Sequence, residues 1–142
     1  MIVLGIDPGD PAGWAEYIGG EYDSSGTIAG DDPRTVRDLI VAMGPDVLVV
    51  EDQFFRPGAL KGIKTLLYRR YIWQIAAELE SIRVEVVHPL TWQAFLKIKR
   101  GKNAPKPVEQ YGPLASALIG RDVYGDEAAA VCMAYWGSLN CT

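Results

Sequence analysis

The sequence is poor in cysteine and histidine. Among its 142 residues are two cysteines, Cys132 and Cys141, and one histidine, His88. One cysteine lies in an apolar segment and the other at the tail. They do not make the disulfide framework of a small secreted domain, so we predict two reduced thiols. His88 follows a predicted strand and precedes a proline, and we interpret it as structural.

Long apolar runs are also missing. No stretch approaches the roughly 18 apolar residues that a membrane span needs, and Met1–Asp7 lacks the basic region of a signal peptide. We therefore expect no membrane association and a cytoplasmic location. Hydrophobic residues make up 49% of the chain and charged residues 23%, which is typical of a globular protein. The length predicts a single domain over residues 1–142.

Basic residues are scarce at both ends of the chain and concentrated in its middle. Residues 1–55 carry two basic and eleven acidic side chains, a net charge of −9. Residues 56–106 carry eleven basic and three acidic side chains, net +8, and residues 107–142 carry one and four, net −3. The overall charge of −4 therefore hides a segment that can face a polyanion. A solvated helix face plus a loop is the alternative interpretation.

The pattern of apolar residues predicts an α/β fold. The predicted strands are Ile2–Ile6, Trp14–Ile18, Tyr22–Ile28, Val47–Val50 and Val84–Val87. The predicted helices are Pro33–Met43, Ala59–Glu80, Thr91–Lys97 and Asp126–Trp136, and a basic loop covers Lys99–Pro107. Three leading strands, followed by strands that alternate with helices, indicate a mixed five-stranded sheet flanked by helices. Val47–Val50 is apolar throughout, as in a strand that is buried on both faces and parallel to its neighbour.

Three carboxylates follow these elements in a suggestive order. Asp7 follows the first strand, Glu51 follows Val47–Val50, and Asp126 begins the last helix. If the two strands are parallel neighbours, Asp7 and Glu51 leave the sheet at the same edge, roughly 5 Å apart. Converging carboxylates repel each other and need compensation, for which Mg²⁺ with oxygen ligands is the usual solution. Taken singly, each is as readily a turn former, a solvated acid or a helix cap.

Four segments of the chain resemble motifs of RuvC-type Holliday junction resolvases. Ile2–Gly9 (IVLGIDPG), Val49–Phe55 (VVEDQFF) and Asp126–Gly137 (DEAAAVCMAYWG) match three of them in the order and spacing of that family. Val86–Phe95 (VVHPLTWQAF) is similar to the corresponding stretch of bacteriophage members. The resemblance implies the RNase H-like fold, a homodimer that binds four-way DNA junctions, and a bacterial or phage-infected cell as its setting.

The resemblance also implies the ligands of two Mg²⁺ ions, for which Mn²⁺ is an accepted substitute. The family holds them with four acidic residues, and the first three fall on Asp7, Glu51 and Asp126. The fourth falls on Ala129, which cannot bind a metal. The implied chemistry is attack of water on a phosphodiester, assisted by two metal ions, at symmetric positions of the junction. With Ala129 in the fourth position, this chain is expected to be inactive or nearly so.

Position 129 has several interpretations. An aspartate-to-alanine change that traps substrate is one, and a natural variant or an error in the register of the alignment are the others. Asp122 and Glu127 are possible substitutes for the fourth ligand. Glu127 points about 100° away from Asp126 around the helix, since 3.6 residues make one turn.

The resemblance places DNA contacts on the middle of the chain. The base-contacting aromatic of the family falls on Phe54, for which a core position is the alternative. The expected phosphate contacts near it are Arg56 and Lys61, with Lys64, Arg69 and Arg70 as further candidates. The basic loop supplies Lys97, Lys99, Arg100, Lys102 and Lys106. Lys106 best matches the family lysine that supports catalysis, with Lys102 a close second. Trp73, Trp92 and Trp136 are interpreted as core or dimer contacts, and Trp14 as a core residue.

Three other functions compete with this one. A nuclease of the same fold acting on another nucleic acid shares the carboxylates and is separated by cleavage of matched substrates. An actin-like kinase or ATPase domain also begins with a strand and Gly-Ile-Asp-x-Gly, but it needs a second domain. A junction-binding protein without catalysis is the third, and Ala129 favours it for this chain.

Overall fold

The computed structural model describes residues 1–52 and 62–141. Its strands are β1 (Ile2–Asp7), β2 (Ala12–Ile18), β3 (Glu21–Ile28), β4 (Val47–Glu51) and β5 (Arg83–Val87). Its helices are α1 (Pro33–Met43), α2 (Ile63–Leu79), α3 (Pro89–Phe95), α4 (Pro107–Ile119) and α5 (Gly125–Asn140). None of the helices in these ranges has the length and apolarity that crossing a membrane requires.

The five strands form one mixed sheet in the order β3-β2-β1-β4-β5. The hairpin strands β1, β2 and β3 pair antiparallel, whereas β4 pairs parallel with both β1 and β5. The predictions of a mixed five-stranded sheet and of a parallel position for Val47–Val50 are therefore confirmed. The entirely apolar composition of that strand follows from its central position, since helices cover both of its faces.

Alternation along the strands divides the core into two layers. Val3 and Val49 point to one face, where they pack with α3, α4 and α5. Leu4 and Leu48 point to the other face and pack with α1 and α2. Successive side chains of a strand point to opposite faces, so this division follows directly from the sequence pattern.

Helix α5 lies unusually close to the sheet because glycine is present on both sides of the contact. A Cβ atom at Gly5 of β1 would be 2.6 Å from the backbone nitrogen of Ala134. A Cβ atom at Gly137 of α5 would be 2.7 Å from a methyl group of Val49. Larger residues at these two positions would force the helix away from the sheet. The close contact brings the first turn of α5 to the edge where β1 and β4 end.

Helix α4 is absent from the order predicted from the sequence, and the structure corrects that prediction. Pro107 occupies the first helical turn, where its missing N–H is tolerated. Gly112 and Pro113 lie inside the helix, and both residues are usually signals of a turn. Contact with α5 compensates for their low helix propensity. The basic loop therefore leads into a helix that packs beside α5.

Candidate active site

Two of the predicted carboxylates emerge side by side from the centre of the sheet. In the parallel pairing of β1 with β4, Ile6 lies opposite Val50. Asp7 and Glu51 are the next residues of their strands, so both carboxylates leave the sheet at its carboxyl edge. The adjacency predicted from the sequence is therefore observed.

The third carboxylate comes from the first turn of α5. Gly13 lies opposite Asp7 in the pairing of β1 with β2. A Cβ atom at Gly13 would overlap the carbonyl oxygen of Asp126, so a side chain at this position would displace the start of α5. With glycine there, the Asp126 carboxyl reaches the Asp7 carboxyl and forms a hydrogen bond with it. Sequence reasoning missed Gly13 because it predicted a strand that begins at Trp14; in the structure Gly13 lies inside β2, where a glycine allows close backbone approach.

Asp7 is the most strongly perturbed acid of this edge. Burial raises the pKa of its carboxyl well above the ordinary value of 3.8, and the charge of Asp126 and the hydrogen bond to it act in the same direction. The charge of Glu51 adds a smaller contribution of the same sign. Burial and neighbouring negative charge both disfavour an ionised carboxyl. Both effects therefore favour the protonated form of the Asp7 carboxyl in the metal-free protein.

Glu51 has a fixed partner on the opposite side. Its Oε2 accepts a hydrogen bond from the indole Nε1–H of Trp92 at 2.8 Å. Burial raises the pKa of Glu51, while the indole hydrogen bond lowers it and the charge of Asp52 raises it. The Trp92 side chain is 1% exposed, so its interpretation as a core residue is correct but incomplete. Sequence reasoning did not identify its contact with Glu51.

Tyr111 of α4 completes the wall of the site beside Glu51. Its ring lies 5.0 Å from that of Trp92, between ring centroids. Its hydroxyl accepts a hydrogen bond of 2.5 Å from Nε2 of Gln93, whose Oε1 accepts from Arg100. Burial raises the pKa of Tyr111 to about 12, and the charge of Glu51 contributes to the rise. A polar chain thus connects the basic loop to the neighbourhood of the carboxylates.

The donor chemistry of this edge fits a hard divalent cation, because carboxylate oxygens are its preferred ligands. The fit is incomplete in geometry. Among residues 1–52 and 62–141, no group of three or more acidic, histidine or cysteine side chains is spaced to hold a metal ion. Asp7 is hydrogen-bonded to Asp126 and feels the charge of Glu51, and one oxygen of Glu51 is hydrogen-bonded to Trp92.

The residues proposed for the fourth carboxylate position differ in their surroundings. Ala129 lies on α5, one turn after Asp126, and is 6% exposed. Glu127 forms an ion pair of 2.6 Å with Arg121 and accepts a hydrogen bond from Ser25 of β3. These contacts fasten the start of α5 to the sheet and make Glu127 a poor substitute ligand. Asp122 lies before α5 and lines the same cavity as Asp126.

The basic loop is held in place from α4. Gln110 accepts a hydrogen bond from the backbone nitrogen of Lys99 and donates to the carbonyl oxygens of Lys99 and Pro105, at 2.8 to 2.9 Å. Lys106 immediately precedes α4. The five cations of the loop are exposed: Lys97, Lys99, Arg100, Lys102 and Lys106. In the part of the chain that the structure describes, none of them forms an ion pair with a carboxylate. Their charge is therefore available to a polyanion.

The other predicted DNA contacts have different outcomes. Phe54, Arg56 and Lys61 lie outside the described residues. Arg69 pairs with Asp31 at 2.8 Å and Arg70 pairs with Asp52 at 2.5 Å. Both arginines thus have carboxylate partners, as expected for at least one of the two, and a phosphate contact by either stays a prediction. Lys64 is exposed on α2.

His88 and the two cysteines have structural surroundings. The imidazole Nδ1 of His88 accepts a hydrogen bond from the backbone nitrogen of Leu90 and caps α3, which confirms its structural interpretation. Cys132 and Cys141 are free and buried, and burial raises the pKa of Cys132 to about 12. The prediction that these two cysteines are not joined in a disulfide is therefore confirmed.

Comparison with known proteins finds similarity at the level of the fold. No protein-family model and no curated protein sequence matches the chain. The structure is similar to that of Thermus thermophilus RuvC in complex with a Holliday junction substrate, with a TM-score of 0.74 and 15% identity over 99% of this chain and 96% of that one. It is also similar to a second Thermus thermophilus RuvC structure, with a TM-score of 0.67 and 19% identity over 95% and 92% of the two chains. A Fowlpox virus resolvase in complex with Holliday junction DNA matches with a TM-score of 0.59 and 15% identity over 99% and 93%. At these identities the likeness concerns the fold, and the RNase H-like fold predicted from the sequence is confirmed.

Proposed function

We propose that this chain is a Holliday junction resolvase, a structure-selective endonuclease that nicks four-way DNA junctions symmetrically by metal-assisted hydrolysis. The observation that carries the proposal is the meeting of Asp7, Glu51 and Asp126 at one edge of the sheet, beside an exposed basic loop. The likeness of the whole chain to RuvC bound to a junction supports the choice of substrate. The enzyme would act in the cytoplasm of a bacterial or phage-infected cell.

Asp7, Glu51 and Asp126 are the residues that would hold Mg²⁺, with Mn²⁺ as a substitute. Two bound ions would supply an activated water and stabilise the leaving oxygen. Any proton on the Asp7 carboxyl must leave when a cation binds, because a protonated carboxyl is a poor ligand. Trp92 and Tyr111 exclude water from the flank of Glu51, since both rings pack against each other there.

The basic loop supplies the contacts to the phosphate backbone. Its cations are exposed and unpaired with carboxylates among the described residues, so phosphate groups can take that place. The hydrogen bonds of the Gln110 side chain fix the backbone from Lys99 to Pro105, which reduces the conformational entropy that the loop loses when DNA binds. Lys106 adjoins α4 and is the lysine assigned to the scissile phosphate. Phe54 is assigned to base stacking at the branch point.

The dimer would form through α2. This helix exposes apolar side chains at helical spacing, namely Tyr68, Tyr71, Ile75 and Leu79, of which Leu79 is 72% exposed. A continuous apolar stripe on a helix marks a protein contact. A second copy presents the same stripe, so an isologous pairing about a two-fold axis buries both. Such a dimer would offer two active sites to the two-fold symmetric arms of a junction.

Sedimentation velocity tests the dimer. Leu79→Lys should shift the protein from dimer to monomer at micromolar concentration, because the charge would be buried in the contact. Leu139→Lys is the matched control, since Leu139 is an exposed leucine at the end of α5, which packs on the other face of the sheet. Dimers of equal stability in both variants would place the contact elsewhere.

A gel-shift titration tests the choice of substrate with the chain as it is. The chain should bind a four-way junction more tightly than a linear duplex of equal length, and affinity should fall steeply with salt. Equal affinity for the two DNAs would contradict the resolvase proposal. Junction, RNA–DNA hybrid and single strand of matched sequence in the same titration separate the resolvase from nucleases with other substrates.

Ala129 supports a second candidate, a junction-binding protein without catalysis. The side chain at this position is an unreactive methyl group one helical turn from Asp126. This candidate shares the binding surface with the resolvase. It differs in that the protein would not nick DNA with metal, whichever residue occupies position 129. Both candidates predict tight junction binding by the present chain.

A further inference from the structure

We propose that Trp92 is a positioning residue that orients Glu51 for metal binding. The indole Nε1–H donates to one oxygen of the Glu51 carboxylate at 2.8 Å, and the indole itself is 1% exposed. This inference rests on the proposed function insofar as Glu51 is taken to bind a divalent cation.

The backbone brings the two residues together by strand pairing. Glu51 lies opposite Val87 in the parallel pairing of β4 with β5. The backbone nitrogen of Asp52 donates to the carbonyl oxygen of Val87 at 2.7 Å, so the pairing continues past Glu51. Helix α3 then begins at Pro89, capped by His88. The first turn of this helix therefore lies at the height of Glu51, and Trp92 points back to it.

The indole is fixed by its own neighbours. The Tyr111 ring packs at 5.0 Å from it, and the Tyr111 hydroxyl is held by Gln93, the residue after Trp92. An indole N–H can donate and cannot accept or titrate, so it always favours the ionised form of a carboxylate partner. By holding Oε2, Trp92 restricts the rotamer of Glu51, and Oε1 is the oxygen that a cation would take. Partners of this kind orient the ligands of metal sites in many proteins.

The chain offers a matched control for replacement of this indole. Trp73 is fully buried in the layer formed with α1 and α2, on the opposite face of the sheet. Within residues 1–52 and 62–141, its Nε1 has no hydrogen-bond partner. Trp73→Phe and Trp92→Phe both replace a buried indole by a smaller ring. Trp92→Phe alone removes a bond to a carboxylate.

Mn²⁺ binding, measured by electron paramagnetic resonance of the free ion, tests the proposal without reference to cleavage. Trp92→Phe should weaken Mn²⁺ binding about 10-fold or more, as is typical for loss of a residue that orients a ligand. Trp73→Phe should leave the affinity within about twofold of the parent, although both variants melt at lower temperature. Equal affinities in the two variants would overturn the proposal, as would a parent chain that binds no Mn²⁺.

Nuclear magnetic resonance of the indole N–H groups covers the case in which Trp92→Phe does not fold. In the metal-free parent, Glu51→Ala should shift the Trp92 indole N–H resonance and speed its exchange with solvent, while the Trp73 resonance stays in place. If neither the chemical shift nor the exchange rate of the Trp92 indole N–H changes in Glu51→Ala, the proposal is overturned. Failure of the resolvase proposal alone gives a different result. In that case the protein binds Mn²⁺ with an affinity that depends on Trp92, but it binds junction and duplex DNA equally.

Discussion

Asp7→Asn should stabilise the metal-free protein, although it removes a residue of the proposed active site. Asp7 is buried and hydrogen-bonded to Asp126, so its ionisation is disfavoured in the folded state. Asparagine has nearly the same shape and needs no proton. Its amide can also donate a hydrogen bond to the Asp126 carboxylate, which keeps the contact between β1 and α5.

The size of the effect follows from linkage between protonation and folding. Below the ordinary pKa of 3.8, Asp7 is protonated in both the folded and the unfolded chain. Between that value and the raised pKa of the folded state, the unfolded chain alone ionises, so the parent loses stability as pH rises. Each unit by which the pKa is raised costs about 1.4 kcal/mol above the folded-state value. We therefore expect Asp7→Asn to be more stable than the parent by at least about 1 kcal/mol near neutral pH, or roughly 3 °C in Tm.

Urea unfolding from acid to neutral pH in the presence of a chelator measures this effect. The difference in unfolding free energy between Asp7→Asn and the parent should be constant at the acid end, grow as pH rises, and then level off. Asp38→Asn is the control, since Asp38 is an exposed acid on α1. Saturating Mg²⁺ should reverse the order, because ligand at 100 times its Kd adds about 2.7 kcal/mol to a protein that binds it. A difference that stays flat with pH, or a less stable Asp7→Asn at neutral pH, would refute this account of the site.

Three further predictions concern the surroundings of the carboxylates. Neutralising Lys102 and Lys106 together should weaken junction binding and reduce the slope of log affinity against log salt by about 2. Neutralising Lys106 alone should slow cleavage in an active background. If junction affinity across a salt series is unchanged in these variants, the loop is only a solvated segment. Phe54→Ala should impair junction cleavage, and a fall in Tm of more than about 5 °C would place Phe54 in the core instead. Glu127→Gln should leave Mg²⁺ affinity unchanged in calorimetry while lowering the Tm, because Glu127 is bound to Arg121; a loss of Mg²⁺ affinity would make it a ligand.

Much of the fold could be predicted because apolar patterns report burial directly. Four consecutive apolar residues from Val47 to Val50 indicate a strand covered on both faces, and that strand is central in the sheet. Parallel pairing with β1 then places Asp7 beside Glu51. Asp126 required one more assumption, that the last helix crosses this edge, and the sequence motif supported it.

The remainder depends on contacts that leave no periodic signal. Helix α4 was missed because Gly112 and Pro113 resemble a turn, while the packing that compensates for them is tertiary. The hydrogen bond from Trp92 to Glu51 joins residues 41 positions apart, and a buried tryptophan looks the same in sequence with or without such a partner. Gly13 was missed because the predicted strand begins at Trp14, whereas the observed strand begins at Ala12 and contains Gly13.

Nicking of a synthetic four-way junction by this chain and by its Ala129→Asp variant tests the central claim most directly. The chain as it stands should bind the junction and cut it very slowly or not at all, because one carboxylate is missing from the proposed metal site. Ala129→Asp should recover Mg²⁺-dependent nicks at symmetric positions on opposed strands. If neither protein nicks the junction, the chain is a junction-binding protein and the catalytic claim is wrong. A tenfold change in rate corresponds to about 1.4 kcal/mol of activation barrier. If the two nicking rates agree within about threefold, the assignment of position 129 is wrong and Asp122 becomes the leading candidate for the fourth metal ligand.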